Sequence, residues 1–296
     1  LSSILKKDPL ILAEEFKNLI VKNNNDFDKI EITKPGFINF TFKKKTLLNF
    51  LGKIKNNFGF SNNKNSKKIN IEFVSANPTG PLHIGHCRGA IYGDVLSNLL
   101  KYCGHNVSKE YYINDYGNQI TLFLKSIYFR AVEIVKKKKF PEDQGLYPGT
   151  YIIDITKEIL KKINIDDYDN FEDAKITLGS IAIDLAMNLI KNDLNIMGIK
   201  HDIFTSESAI VRENILSKAI NKLKDKGAIY KGVLPKPKGE IEDWEPREQL
   251  LFKATNYGDD VDRALQKSDN TWTYFANDIA YHYHKLNREY DHYINI

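Results

Sequence analysis

Residues 69–86 read Ile-Asn-Ile-Glu-Phe-Val-Ser-Ala-Asn-Pro-Thr-Gly-Pro-Leu-His-Ile-Gly-His, and this stretch decides the fold. Its first seven residues form a run of the length and composition of a buried strand. Residues 76–81 hold two prolines and a glycine, which break regular structure. From about 83 to 102 the pattern predicts a helix, stopped by Gly104. Residues 107–113 then predict a second strand, 114–118 a tight loop, and about 119–136 another helix. Strand, loop and helix repeated in this order predict a parallel, right-handed α/β sheet.

Upstream, Asp8-Pro9 reads as N-cap and first helical position before an amphipathic helix over about 10–21. Ile38, Phe40 and Phe42 alternate with polar residues across from Ile30-Glu31-Ile32, which predicts a hairpin over 30–42. A helix follows over about 44–58, and the polar run 61–68 reads as the best domain boundary. Downstream, 137–235 reads as a helical insertion with helices at about 151–162, 172–197 and 211–226, after a Pro/Gly break at 140–150. The tail predicts a strand over 249–254, a helix over 272–285 and the start of another strand at the end. A first residue that is not Met and a sheet left unfinished both predict numbering inside a longer polypeptide.

The composition, 42% hydrophobic and 27% charged over 296 residues, is that of a globular chain and excludes collagen-like and disordered readings. No run approaches the roughly 18 apolar residues of a membrane span, so no membrane partner is expected. Two cysteines, Cys87 and Cys103, are too few for a disulfide framework; a reducing, cytoplasmic location is expected. Net charge is +5 in all, yet residues 1–70 alone carry +8 from 14 Lys and 6 acids. A basic section on a near-neutral body suits a polyanion, although a solvated Lys-rich surface gives the same count.

The chemistry lies at the helix start. Backbone N–H groups and the helix dipole favour an anion there, and Gly85 has no Cβ to keep a base or phosphate away. His83 and His86, three apart in the first turn, share a face from which both can donate to a phosphate whose charge is building. A metal pair is the rival reading of the histidines. Cys87 is the sole nearby third ligand and no HExxH or CxxC exists, so no metal site and no structural metal are expected.

His83-Ile84-Gly85-His86 with its approach resembles the signature of class I aminoacyl-tRNA synthetases, and the run 73–86 resembles the bacterial arginyl enzymes. Three further stretches agree: 110–119 (Glu-Tyr-Tyr-Ile-Asn-Asp-Tyr-Gly-Asn-Gln), 243–248 (Asp-Trp-Glu-Pro-Arg-Glu) and 272–281 (Trp-Thr-Tyr-Phe-Ala-Asn-Asp-Ile-Ala-Tyr). The resemblance implies a Rossmann-type catalytic domain over 67–296 with the helical insertion. Before it, 1–66 would be part of a small α+β N-terminal domain that touches the tRNA elbow. It implies a ligase that activates L-arginine with ATP, as its Mg2+ complex, and transfers it to the 2′-OH of the terminal adenosine of its tRNA. A monomer is expected. Thr79, His83, Gly85 and His86 match ATP positions; Ser75, Asn77, Asn114, Tyr274 and Asp278 match arginine positions. Asp115 and Gln119 fall in the same pocket as Asn114, where the resemblance implies contact with the arginine or the ribose. Tyr274 and Asp278, four apart, share one helix face, and a carboxylate takes a planar guanidinium as a fork. The family's second, Lys-Met-Ser-Lys-like signature and its helical anticodon-binding domain do not occur, which predicts a chain cut before them. A non-catalytic nucleotide- or tRNA-binding piece and a smaller nucleotidyltransferase of the same superfamily are the rival readings.

If the basic section holds tRNA, reversing the charge of Lys43, Lys44 and Lys45 should weaken tRNA binding and flatten its dependence on salt. A filter-binding salt series checks this; an unchanged slope returns the section to a solvated surface.

Overall fold

In the computed structural model the described residues are 1–56, 58–61, 64–141, 145–235, 246–267 and 270–296. They divide into two compact units, Leu1–Ser61 and Asn62–Ile296. In the first, a short helix α1 (Ser2–Leu5) precedes α2 (Pro9–Asn23), whose N-cap Asp8 accepts a hydrogen bond from the Leu10 N–H at 2.8 Å. Strands β1 (Phe27–Thr33) and β2 (Phe37–Phe42) then pair antiparallel with Ile32 opposite Ile38. Helix α3 (Lys44–Lys53) is shorter than the periodicity predicts, because Ile54 turns extended.

The second unit is built on a four-stranded parallel sheet in the order β5 (Ile203–Ser206), β4 (Asn106–Ile113), β3 (Lys68–Glu72) and β9 (His292–Asn295). Strand β3 (Lys68–Glu72) leads through the proline–glycine loop to α4 (Ile84–Tyr102), and β4 (Asn106–Ile113) leads to α5 (Asn118–Lys136). Helices α6 (Thr150–Leu160) and α7 (Phe171–Ile196) follow and pack with α5 around Phe123, Ile127, Ile155 and Leu178. The last turns of α7 serve a different core. Met187, Ile190 and Leu194 cover Ile71, Phe73 and Tyr111 on the sheet. The helical stretch and the sheet thus share one long helix.

The stretch read as a helical insertion also contains strand β5 (Ile203–Ser206), which pairs parallel with β4. Four residues are too short a run for alternation to show. The helix predicted over 211–226 is two helices, α8 (Glu207–Arg212) and α9 (Ile215–Asp225), divided where Asn214 takes φ +54°. A small antiparallel sheet follows, made of β6 (Ile229–Gly232), β7 (Gln249–Phe252) and β8 (Arg263–Ala264). Helix α10 (Tyr274–Leu286) is capped by Thr273, and β9 (His292–Asn295) pairs with β3. Of the block 243–248, Asp243, Trp244 and Glu245 lie outside the described residues.

Helix α4 lies on the sheet through Ala90, Gly93 and Ser97. A Cβ at Gly93 would stand 2.2 Å from Cγ of the buried Phe73 ring, which itself lies 4.2 Å from the His201 ring. Gly93→Ala should therefore destabilise the protein by roughly 1–3 kcal/mol, more than the helix propensity it gains. Urea unfolding checks this, and a variant as stable as the parent would show that Phe73 moves freely.

Candidate active site

The site begins with a bend. Strand β3 stops at Glu72, short of the predicted 75, because Val74 and Ser75 take φ +71° and +42°. A β-branched residue in the left-handed region is strained and persists only where its surroundings hold it. They do: the Ser75 hydroxyl donates to Glu72 Oε1 at 3.0 Å and accepts the Tyr112 N–H at 3.0 Å. Ser75 is thus tied inside the protein. The Tyr111 hydroxyl donates to the Ala76 carbonyl at 2.7 Å, and the Asn77 amide donates to the Gln119 side-chain carbonyl. Beyond the prolines, Asp193 on α7 accepts the Leu82 N–H at 3.0 Å.

The loop delivers His83 as N-cap of α4. Its Nδ1 accepts from the Gly85 N–H at 3.1 Å, while His86 Nδ1 accepts from the His83 N–H at 3.2 Å. Each neutral ring therefore carries its proton on Nε2 and keeps one donor for a ligand. The rings stack with centroids 3.8 Å apart. Burial, helped by the neighbouring His83, holds the His86 imidazole below its ordinary pKa. Both rings line a cleft of about 370 Å³ with Ala76, Asn77, Thr79, Gly80, Pro81 and Tyr151. Gly85 is exposed at the start of the helix, its N–H taken by His83 Nδ1.

A second cluster forms at the carboxyl ends of β4 and β5. Asp115, after β4, accepts from the Ser208 N–H at 2.8 Å and from the Ser206 hydroxyl at 2.7 Å. Glu207, first residue of α8, is 5% exposed and receives one hydrogen bond, from the Asn277 amide at 3.2 Å. Burial, then Asp115 and Asp278, push its carboxyl up to about 7. Tyr112 has its phenol pushed far up by burial and by Glu207, Asp278, Asp115 and Glu72 around it. Glu72 has a cation: Lys285 Nζ donates to its Oε2 at 2.8 Å and the Tyr281 hydroxyl at 2.7 Å. Among the described residues no ion pair balances Asp115, Glu207 or Asp278. The nearest cationic side chains stand off without pairing: His282 acts on Asp278 through space, and Lys175 and Arg212 line a cavity with Asp115.

Tyr274 and Asp278 share the outer side of α10, with Tyr274 73% exposed. Asp278 belongs to the second cluster. Burial holds its carboxyl above the ordinary range against the opposing pull of His282. Asn114 is half-buried between Ile113 and Asp115 and makes no hydrogen bond among the described residues. The structure brings Thr79, His83 and His86 into one cleft and ties Asn77 to Gln119 above it. Lys43, Lys44 and Lys45 lie in the other unit, on and before α3. Sequence reasoning missed Glu207, since an acid after a Ser cap reads as an ordinary first-turn residue. It missed Tyr151 as well. No group of three or more His, Cys, Asp or Glu among the described residues is arranged to hold a metal ion. No helix among them is long and apolar enough to cross a membrane.

A parallel sheet whose first loop brings a His-Ile-Gly-His helix start to the strand ends defines the class I synthetase catalytic fold. The family model for tRNA synthetases class I (R), catalytic domain, matches residues 50–295, and that for the arginyl tRNA synthetase N terminal domain matches 1–42. The chain belongs to the arginyl family of class I tRNA synthetases. It is 52% identical to the arginine–tRNA ligase of Pelagibacter ubique (strain HTCC1062) over 301 residues, covering 100% of this chain and 52% of that protein. The arginine–tRNA ligase of Ehrlichia ruminantium (strain Welgevonden) is 46% identical over 99% of this chain and 52% of its own length. Among solved structures, Thermus thermophilus arginyl-tRNA synthetase shares the fold with a TM-score of 0.57 at 20% identity, over 95% of this chain and 45% of that one. The chain spans about half the length of the curated relatives it matches.

Glu207 has a folded pKa near 7 against an ordinary 4.5, so its ionisation opposes folding. The cost is absent below pH 4.5, grows between 4.5 and 7, and is constant above. Glu207→Gln should therefore be more stable than the parent at pH 8 and equal to it near pH 4. Thermal melts across that range check the sign; parallel curves would show Glu207 unperturbed.

Proposed function

We propose that the intact protein carrying this chain is an arginine–tRNA ligase. In this reading ATP, as its magnesium complex, lies in the cleft of His83 and His86, and L-arginine extends toward Asp115, Glu207 and Asp278. The arginine carboxylate attacks the α-phosphorus; the new O–P bond gives arginyl-adenylate and the broken P–O bond releases pyrophosphate. The Nε2–H groups of His83 and His86 donate to the phosphate as its charge grows, where one such donor typically contributes 10²–10³ in rate. Thr79 and the exposed Gly85, which carries no side chain, complete the nucleotide side. The 2′-oxygen of the tRNA's terminal adenosine then attacks the acyl carbon of the adenylate, forming the ester as the acyl–phosphate bond breaks, and AMP leaves with the hydroxyl proton taken up by its phosphate. The N-terminal domain 1–66 lies toward the tRNA elbow.

The observation that carries the reading is the uncompensated carboxylate cluster at the same strand ends as the histidine cleft. A guanidinium entering a closed site loses its water, so the site must supply fixed negative charge. Two or three carboxylates that form no ion pair do this for a guanidinium and an α-ammonium together. Glu207 is protonated in part at neutral pH and ionises as the ligand arrives. Asn77, Asn114 and Tyr274 add polar contacts, and Gln119 orients Asn77.

Asp278→Asn keeps the shape and removes the charge. Losing one charged hydrogen-bond partner typically costs about 1.5–3 kcal/mol, so the KM for arginine should rise about tenfold while the KM for ATP stays put. Tyr274→Phe should cost less, since one hydroxyl is lost. Arginine-dependent ATP–pyrophosphate exchange with tRNA present reads both constants. Unaltered arginine binding in Asp278→Asn would place the pocket elsewhere.

A further inference from the structure

We propose that Tyr151, carried by α6, is a nucleotide-contacting residue whose hydroxyl donates a hydrogen bond to the triphosphate. The inference rests on the reading of the histidine cleft as the ATP site and adds a wall to it from outside the signature. Tyr151 lines that cleft together with His83 and His86, though it lies far along the chain in the helical stretch. Its position is set by two glycines. A Cβ at Gly149 would stand 2.4 Å from the ring, and one at Gly80 would stand 3.0 Å from Cζ and 3.1 Å from the hydroxyl oxygen. The hydroxyl end of the ring, rather than its face, therefore reaches the loop that feeds the helix N-terminus.

The remaining lining decides the chemistry. Thr79 supplies a hydroxyl, His83 and His86 supply Nε2–H groups, and no carboxylate enters the cleft. Donors without acids suit an anion, and hydrogen bonds to an ionised acceptor are the strong ones. The Tyr151 hydroxyl meets no hydrogen-bond partner among the described residues, which leaves its proton available. Burial and the nearby Tyr147 raise its pKa, so it is a donor throughout the neutral range.

The test is Tyr151→Phe in the intact protein, by ATP–pyrophosphate exchange with arginine and tRNA present. The ring stays, so its packing against both glycines is kept. The KM for ATP should rise roughly tenfold, the loss expected for one hydrogen bond to a charged group, while the KM for arginine is unchanged. An ATP KM equal to the parent's overturns the proposal, even if Tyr151→Ala is impaired, because the ring would then act as a wall alone. An equal rise in both KM values also overturns it. His83→Ala, measured alongside, separates the two levels. If it leaves exchange unaltered, the cleft is not the ATP site. If it lowers exchange and Tyr151→Phe is silent, the assignment of Tyr151 alone fails.

Discussion

The second unit depends on a buried carboxylate. Glu110, fully buried on β4, accepts from Asn70 of β3 at 2.7 Å, from Thr205 of β5 at 2.6 Å and from Arg288, just before β9, at 2.8 Å. One side chain thus ties three strands of the parallel sheet together with the turn that leads into the fourth. Burial alone would raise its pKa, but Thr205, Arg288 and Asn70 together leave it below the ordinary carboxylate value. Such a hub carries risk, since an ion left buried without its partner typically costs about 3–5 kcal/mol. What it provides is register: a slip of β5 or β9 would strand the charge.

That register is what makes a site out of strand ends. With β3, β4 and β5 in fixed alignment, the bend at Val74 and Ser75 lies beside Tyr112, and Asp115 meets the start of α8. The other face of the same logic is Glu72. It holds Ser75 on one oxygen and Tyr281 with Lys285 on the other, so α10 is fastened to the bend. Tyr112 and Tyr281 stack at 4.0 Å between these ties. The strained bend and the orientation of α10 are therefore set by one carboxylate.

The sequence made much of this legible, for identifiable reasons. Apolar runs followed by Pro and Gly announce β3 and its loop, and the Asp8-Pro9 pair announces α2, because these signals act within a few residues. Strand β5 escaped notice because its pairing partner lies 93 residues away and its own four residues alternate too briefly. Glu207 escaped for a related reason. Its meaning comes from Asp115 and Asp278, which no local pattern joins to it. Ser75 shows the converse case: a residue expected at the ligand is also the pin of the backbone turn beneath it.

The loop between β3 and α4 is gripped from four directions, by Tyr111 of β4, Gln119 of α5, Asp193 of α7 and Asn77 within the loop itself, whose carbonyl accepts the Thr79 N–H at 2.8 Å. Its ordering entropy is therefore spent when the chain folds and not when a ligand arrives. Association with such a loop resembles docking onto a rigid surface, with little slow rearrangement in its time course. The same grip makes recognition hostage to distant packing. A change that loosens the end of α7 reaches the histidines through Asp193 and Leu82, although it touches neither ring.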